Sequence, residues 1–322
     1  LYKAASAVAA ARALAAESGR PVVPVFWIQN EDHDLPEIAV THVPRAHGAP
    51  LALRLPASAA ERVAVAHCAL PDEVAAALAE LRAEIGNLPD AAAHLERLAR
   101  HYRPGAGWAE AFSGLLAELF ADDGLVLVDP RDPALAAAAA PIHRRALTDA
   151  AALADVLIAR RRELADAGYD ETVHVRPGAP LSFFHPDGPT GPRHRLQPVD
   201  GGFAEVGSGR RHTLEQLLAG LDADPRTFST SALLRPIVQD AILPTVAYVA
   251  GPGEVAYFAQ LAPLYAAFDV AMPLVVPRAR LRILEGRTLD RCERLGIAPD
   301  DAARAPDDAV REAHDLTADA AA

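Results

Sequence analysis

Val25-Phe26-Trp27-Ile28-Gln29-Asn30-Glu31-Asp32-His33-Asp34 passes from an apolar run into a polar cluster with three acids and a histidine. From Pro21 to Ile28 the residues are β-branched or aromatic and show no helical period. The run therefore reads as a strand buried on both faces, as in a parallel sheet. The polar cluster then lies at the strand's carboxyl end. In open α/β sheets that edge takes ligands, because the crevices between βα loops open there.

Outward from this stretch the chain alternates helical and strand patterns. Leu1 to Glu17 is an alanine-rich helix stopped at Ser18-Gly19. Gly124-Leu125-Val126-Leu127-Val128-Asp129-Pro130 is a second apolar strand, whose Asp129 is expected to share the edge occupied by Glu31 to Asp34. Thr245 to Ala250 is a third, running through Gly251-Pro252-Gly253-Glu254 into a helix that reaches Phe268, and Val270 to Val276 is a last short strand. Between them, Leu51–Leu55 and Arg62–Val65 read as short strands, and Pro71–Arg82, Asp90–His101 and Ala109–Ala121 as helices. Pro133 to Ala167 reads as a long helix broken or kinked near Pro141. His174 to Gly209 reads as a β-rich insertion with a turn at Pro186-Asp187-Gly188. Thr213 is placed to N-cap a short helix, and Pro236 marks the start of another. The fold class is α/β, with core segments at 1–36, 122–170 and 213–277. A mostly helical insertion covers 37–121, the β-rich insertion 171–212, and a C-terminal helix with an acidic tail 278–322.

Composition narrows the function. The 322 residues are 51% hydrophobic, which suits a folded globular chain and excludes disorder as a whole. A formal net charge of −12 offers no general basic surface, so nucleic acid is not an expected partner. Cys68 and Cys292 are far apart and in no ligand-like spacing, which fits a reducing cytoplasm and neither a disulfide framework nor a cysteine zinc site. Both read as inert packing residues. No apolar window is long enough to span a bilayer, so no membrane partner is expected. The chain opens at Leu1 without a methionine and already inside a helix, so it is expected to be a fragment.

Three motifs carry chemistry. Glu31-Asp32-His33-Asp34 places four ionisable groups in a row, and such coupling is what acid–base catalysis uses. The plainer reading is an exposed acidic loop with an N-capping Asp. A metal site from Asp32, His33 and Asp34 is less favoured, because adjacent residues on an extended chain point to opposite sides. Gly251-Pro252-Gly253-Glu254 lets backbone N–H groups approach a ligand at a helix start, and Glu254 there favours an amine or hydroxyl over a bare phosphate. Arg235 can clamp a carboxylate or phosphate through its planar fork, or simply pair with Asp240. Lys3 is similarly ambiguous. His185, His194 and His212 read as surface residues of the loop-rich insertion.

Taken together, these residues resemble a known family. Tyr2-Lys3-Ala4-Ala5, Pro24-Val25-Phe26-Trp27-Ile28 with Glu31-Asp32-His33-Asp34, and Leu233-Leu234-Arg235-Pro236 with Gln239-Asp240 are similar to the bacillithiol biosynthesis cysteine-adding enzymes. Ala247-Tyr248-Val249, Gly251-Pro252-Gly253-Glu254, Tyr257, Gln260, Met272-Pro273 and Val276-Pro277-Arg278 continue the likeness over most of the chain. The resemblance implies a Rossmann-like parallel sheet core with inserted segments and the start of a C-terminal helical coiled coil that pairs two subunits. It also implies that a glycine-rich stretch precedes Leu1 and that most of the coiled coil follows the helix from Arg278.

The implied reaction is a ligase step that joins the carboxyl group of L-cysteine to the amine of glucosaminyl-malate through an amide bond. On that reaction, His33 or a neighbouring carboxylate among Glu31, Asp32 and Asp34 is expected to take a proton from the attacking amine. Arg235 is expected to hold a carboxylate such as that of the malyl group, and Gly251, Gly253 and Glu254 to position polar groups of sugar or cysteine. Asn30, Gln239, Asp240, Tyr257 and Gln260 complete the expected substrate contacts. ATP is the candidate activating cofactor, since amide formation from a free carboxylate is uphill, although no Walker-type loop occurs. No metal is expected, and the full-length protein is expected to be a cytoplasmic homodimer. Two other readings remain at this point: a metal-dependent hydrolase using Asp32, His33 and Asp34, and a non-catalytic sugar- or nucleotide-binding module.

Overall fold

The computed structural model describes residues 1–45, 49–57, 62–281, 283–284 and 286–298. Helix α1 (Tyr2–Ser18) buries Ala4, Val8 and Ala11 and ends where Gly19 turns left-handed, its N–H meeting the Ala15 carbonyl. Strand β1 (Val25–Trp27) pairs in parallel with β4 (Val126–Val128), Val25 opposite Val126. Before β4 come α2 (Leu35–Ile38), the antiparallel strands β2 (Val40–Val43) and β3 (Leu51–Arg54), and helices α3 (Glu73–Ile85), α4 (Ala91–His101) and α5 (Trp108–Leu119).

The sequence reading of long strands buried on both faces needs correction here. Only Val25–Trp27 of Pro21–Ile28 forms a strand, and Pro24 just before it has no N–H to donate to β4. Val23 and Val25 are 59% and 36% exposed, and Val126 of β4 is exposed as well. Arg62–Val65 is not a strand either. Val63 makes one isolated bridge with Pro192, and Val65–His67 winds into a single 3-10 turn.

Helix α6 (Pro133–Thr148) starts on Asp132, whose carboxylate accepts the Ala134 N–H at 2.8 Å. It runs through Pro141, and the break falls at Asp149, before α7 (Ala150–Asp166). A proline inside a helix removes one backbone hydrogen bond. Burial of Ala136, Ala139, His143, Ala146 and Leu147 along one face outweighs that loss.

The strands of the β-rich insertion form a sheet that extends beyond residues 171–212. Strands β5 (Ser182–Phe184), β6 (His194–Val199), β7 (Gly202–Glu205), β8 (Arg211–His212) and, after α8 (Leu214–Ala223), β9 (Phe228–Thr230) form one antiparallel sheet in the order β8-β7-β6-β5-β9. Thr213 caps α8 as expected: its Oγ1 accepts the Gln216 N–H at 3.1 Å, and Gln216 Oε1 accepts the Thr213 N–H at 2.9 Å. His185, His194 and His212 are not open surface residues: His185 is buried and the other two half-buried. Glu205 is fully buried and accepts from Arg210 Nε at 3.0 Å and Ser208 Oγ at 2.5 Å, with His212 Nε2 at 2.7 Å. His194 approaches the same carboxylate at 4.0 Å. A buried carboxylate needs such partners, and histidine supplies them.

Helix α9 (Leu234–Ile242) begins two residues before Pro236, which sits in the first turn where its missing N–H costs nothing. Strand β10 (Ala247–Ala250) then leads through Gly251 into α10 (Pro252–Phe268), and β11 (Leu274–Pro277) pairs with β10 in parallel. The largest core cluster joins α7, α9, β10 and α10 through Leu153, Leu157, Leu234, Ile237, Phe258 and Leu261. These elements belong to one compact unit, Leu1–Arg278. The second unit, Ala279–Ala322, contains α11 (Gly286–Leu295), and residues 299–322 of the expected acidic tail lie outside the described residues. No helix of the described residues is long and apolar enough to cross a membrane.

Two buried histidines tie the insertion to the core. His143 Nδ1 lies 2.8 Å from Ser182 Oγ, and His185 joins the Gly191 carbonyl and Ser229 Oγ at 3.1 and 2.9 Å. Burial, reinforced by the Arg131 charge, lowers their pKa values to about 4 and about 3. Both are neutral in the native state, whereas the unfolded chain protonates them near pH 6.5. Their stabilisation is therefore complete above about pH 6.5 and declines as pH falls, by about 1.4 kcal/mol per pH unit for each. Urea denaturation between pH 7.5 and 5 should show this decline, and His143→Gln should remove about half of its slope.

Candidate active site

The carboxyl ends of β1 and β4 are tied by their side chains. Asn30 Nδ2 donates to Asp129 Oδ1 at 2.7 Å, and the same oxygen accepts the Arg131 N–H at 2.8 Å. Glu31, which follows, is buried rather than open. Its Oε2 accepts the Thr230 hydroxyl at 2.5 Å and the Thr230 N–H at 3.2 Å, joining β1 to β9 across the insertion. Arg193, the residue immediately before β6, reaches the loop. It donates to the Glu31 carbonyl, stacks 3.9 Å from the centre of the Phe183 ring, and comes within 4.0 Å of Asp32 Oδ1.

Asp32 and His33 are the half-exposed part of the cluster. Asp32 Oδ1 accepts the His33 N–H at 2.7 Å and lies 3.4 Å from His33 Nδ1, an ion-pair distance that is long for an aligned hydrogen bond. The His33 ring first, then the Arg193 charge and the His33 N–H, hold the Asp32 carboxyl at about 2 against the opposing effect of burial. Asp32 is thus a fixed anion beside an imidazole whose Nδ1 makes no hydrogen bond. Asp34 is exposed at the start of α2 and makes no side-chain cap. Among the described residues, no group of three or more His, Cys, Asp and Glu side chains is arranged to hold a metal ion. The metal-hydrolase reading of Asp32, His33 and Asp34 therefore has no geometric support.

A second polar group centres on Glu254 in the first turn of α10. Its carboxylate accepts from Lys3 Nζ at 2.5 Å, the Tyr248 hydroxyl at 2.6 Å and the Gly251 N–H at 2.9 Å. Arg235 on α9 donates to Tyr248 Oη at 3.0 Å and to Tyr257 Oη, and stands 3.8 Å from Glu254. Burial opposes the Arg235 charge, but the two phenol oxygens and Glu254 raise its pKa above the ordinary value. Burial lowers the Lys3 ammonium, with Glu254 acting the other way. Nearby, Gln239 Nε2 donates to Asp240 Oδ1 at 3.1 Å, and Asp240 also accepts the Tyr265 hydroxyl. Burial raises the Asp240 pKa. Gln260 is buried with its Oε1 lacking a partner.

The predicted residues thus fall into two groups. Glu31, Asp32 and Asn30 belong to the β1, β4 and β9 ends, while Arg235, Gly251, Glu254 and Tyr257 surround the start of α10. The segment from Thr230 to Arg235 links them, since Thr230 binds Glu31 and Arg235 opens α9. Gly253 is exposed with open space where a Cβ would stand. Sequence reasoning missed Arg193, Thr230, Asp129's bond to Asn30, and the Tyr248 hydroxyl. Arg193 and Thr230 sit in an insertion and a short strand with no local motif. The phenol was hidden in a run read only as apolar.

Two pairs of parallel strands, polar residues at their carboxyl ends, and a glycine turn opening a helix define a Rossmann-like α/β domain of the kind that binds small molecules at the strand ends. The family model described as "Bacillithiol biosynthesis BshC, N-terminal Rossmann-like domain" matches residues 1–279. "Putative cysteine ligase BshC" of Salinibacter ruber is 36% identical over 303 residues, covering 94% of this chain and 54% of that protein. The proteins of the same name from Koribacter versatilis and Desulforamulus reducens are 36% and 32% identical, covering 94% and 88% of this chain and 55% and 52% of theirs. The chain belongs to the bacillithiol biosynthesis BshC family, and it spans about half the length of the curated relatives it matches.

The Glu254 group sets a clear energetic expectation. Glu254→Ala removes three hydrogen bonds and leaves two partly buried cations without a counter-charge, so denaturation should show a loss of about 3 kcal/mol. Lys3→Met should cost less, because burial already disfavours the Lys3 charge.

Proposed function

We propose that this chain is the Rossmann-like part of a ligase that joins L-cysteine to the amine of glucosaminyl-malate through an amide bond. The observation that carries this reading is the Asp32–His33 pair at the carboxyl end of β1: an anion held at about 2 beside a half-exposed imidazole. An amine attacks a carbonyl only when neutral, and a neutral imidazole at this position can take the proton that the amine sheds. The names of the relatives, cysteine ligases, support the same chemistry. Asp34, exposed at the next loop position, is proposed to contact the arriving cation. Glu31 is assigned to hold the loop through Thr230.

Arg235 is proposed to counter the charge of a substrate carboxylate, with Tyr248 and Tyr257 fixing its guanidinium. Gly251 and Gly253, with Asn30, Gln239, Asp240 and Gln260, are proposed as polar contacts for the sugar and the amino acid. When bound, ATP would supply the activation that a free carboxylate needs. Arg278 Nε, buried without a partner beside Gly251, is proposed as a donor to its phosphates. Lys3 offsets the Glu254 charge that would otherwise repel such an anion. The full-length protein is proposed to act in the cytoplasm as a homodimer paired through a C-terminal coiled coil.

Mass spectrometry of full-length protein incubated with cysteine, glucosaminyl-malate and ATP should show the amide product, with none when either substrate is omitted. Absence of product with all three would overturn the assignment. Ligand binding without product would instead favour the binding-module reading. His33→Ala should reduce kcat at least about 100-fold with an unchanged denaturation midpoint, the range of general acid–base assistance. An equal loss of folding would return His33 to a structural role.

A further inference from the structure

Between β1 and β10 lies a cavity of about 360 Å³ whose walls are sheet edges. Residues 22–27 form one side and 245–249 the other. Lys3, Ala7, Ala11 and Leu14 present one face of α1 to it, while Arg235 and Gln239 reach it from α9. Each strand has a single partner among the described residues, β4 for β1 and β11 for β10.

The backbone bonds show which groups are left. Pro24 O accepts the Val126 N–H, and Ile28 N–H donates to Val128 O. Alternation along a parallel ladder then turns Phe26 toward β4 and the peptide groups of Val25 and Trp27 toward the cavity. In β10, Val246 O accepts the Leu274 N–H and Ala250 O accepts the Arg278 N–H, so Tyr248 faces β11 while Ala247 and Val249 face the cavity. Valines 23, 25 and 246 along the two edges are 59%, 36% and 62% exposed. Facing, unpaired and apolar edges are what folded sheets avoid.

The course of α1 identifies the occupant. Its first turn is pinned at the carboxyl end of β10 by the bonds of Lys3 to Glu254 and Tyr248, and its last turn leads through Gly19 into the start of β1. That is the second half of a strand–helix–strand unit, in which a helix returns the chain so that two strands can run parallel. The matched relatives have nearly twice the chain. We propose that in the full-length protein this cavity holds a parallel β-strand from the segment directly preceding Leu1, paired with β1 on one edge and β10 on the other.

With that strand in place the five parallel strands would run β4, β1, the added strand, β10, β11. This is the doubly wound order, and its reversal point falls at the added strand. The residues leading from it into Lys3 would pass beside Gly251 and Glu254, so the preceding segment would also contribute to the wall of the candidate site.

Hydrogen exchange on the full-length protein tests the assignment. The amides of Val25, Trp27, Ala247 and Val249 should exchange at least about 100-fold more slowly than unprotected amides, and equally slowly after tenfold dilution. Fast exchange at these four positions, with Phe26 and Tyr248 protected, would overturn it by leaving the cavity to water. Protection that disappears on dilution would overturn it in favour of a strand from a second copy. Independently, Ala7→Phe directs a ring into the space the strand would fill and should lower Tm by about 5 °C or more. An unchanged or raised Tm would count against the proposal.

Discussion

Parallel strands cannot be joined by a tight turn, and the architecture of this chain follows from that constraint. Strand β4 lies opposite β1 in register, yet Trp27 and Val126 are separated by the whole of α2 to α5. So long a crossover cannot remain bare, because its backbone groups and apolar residues need partners. It therefore folds around two small cores of its own, one on Val74, Trp108 and Ala111 and another on Leu51, Leu81 and Leu95. Between β4 and β10 the chain forms α6, α7 and the antiparallel sheet. The connection between the paired strands β1 and β4 has itself become a structure.

The two acidic residues that sequence reading placed together, Glu31 and Asp32, illustrate how a short stretch divides its labour. Glu31 is buried and its Oε2 accepts both the hydroxyl and the N–H of Thr230, while its carbonyl takes Arg193. Asp32, one residue on, stays half exposed and interacts with His33. One side chain fastens the loop, and the next presents charge to solvent.

Much of the fold was legible in the sequence because it was local. The Gly19 stop, the Thr213 cap and the helices beginning near Glu73, Ala91 and Trp108 rest on contacts within a few residues, and the structure contains each of them. What was not legible depends on distant partners. Nothing near His185 or His212 announces that each will be enclosed by Ser229 or Glu205. Pro141 looked like a helix break because the buried face that carries α6 through it is completed by other elements. In the candidate site, the motif Glu31 to Asp34 was visible, but its fixing by Arg193 and Thr230 was not, since those residues follow 162 and 199 positions later.

Arg193 carries one more consequence. It belongs to the β-rich insertion, yet its guanidinium closes on the Glu31 carbonyl of the core and is itself stacked on Phe183. The insertion is therefore not a module that could be trimmed or exchanged while leaving the strand-end chemistry intact. A graft between family members would have to carry the acidic loop and the arginine together.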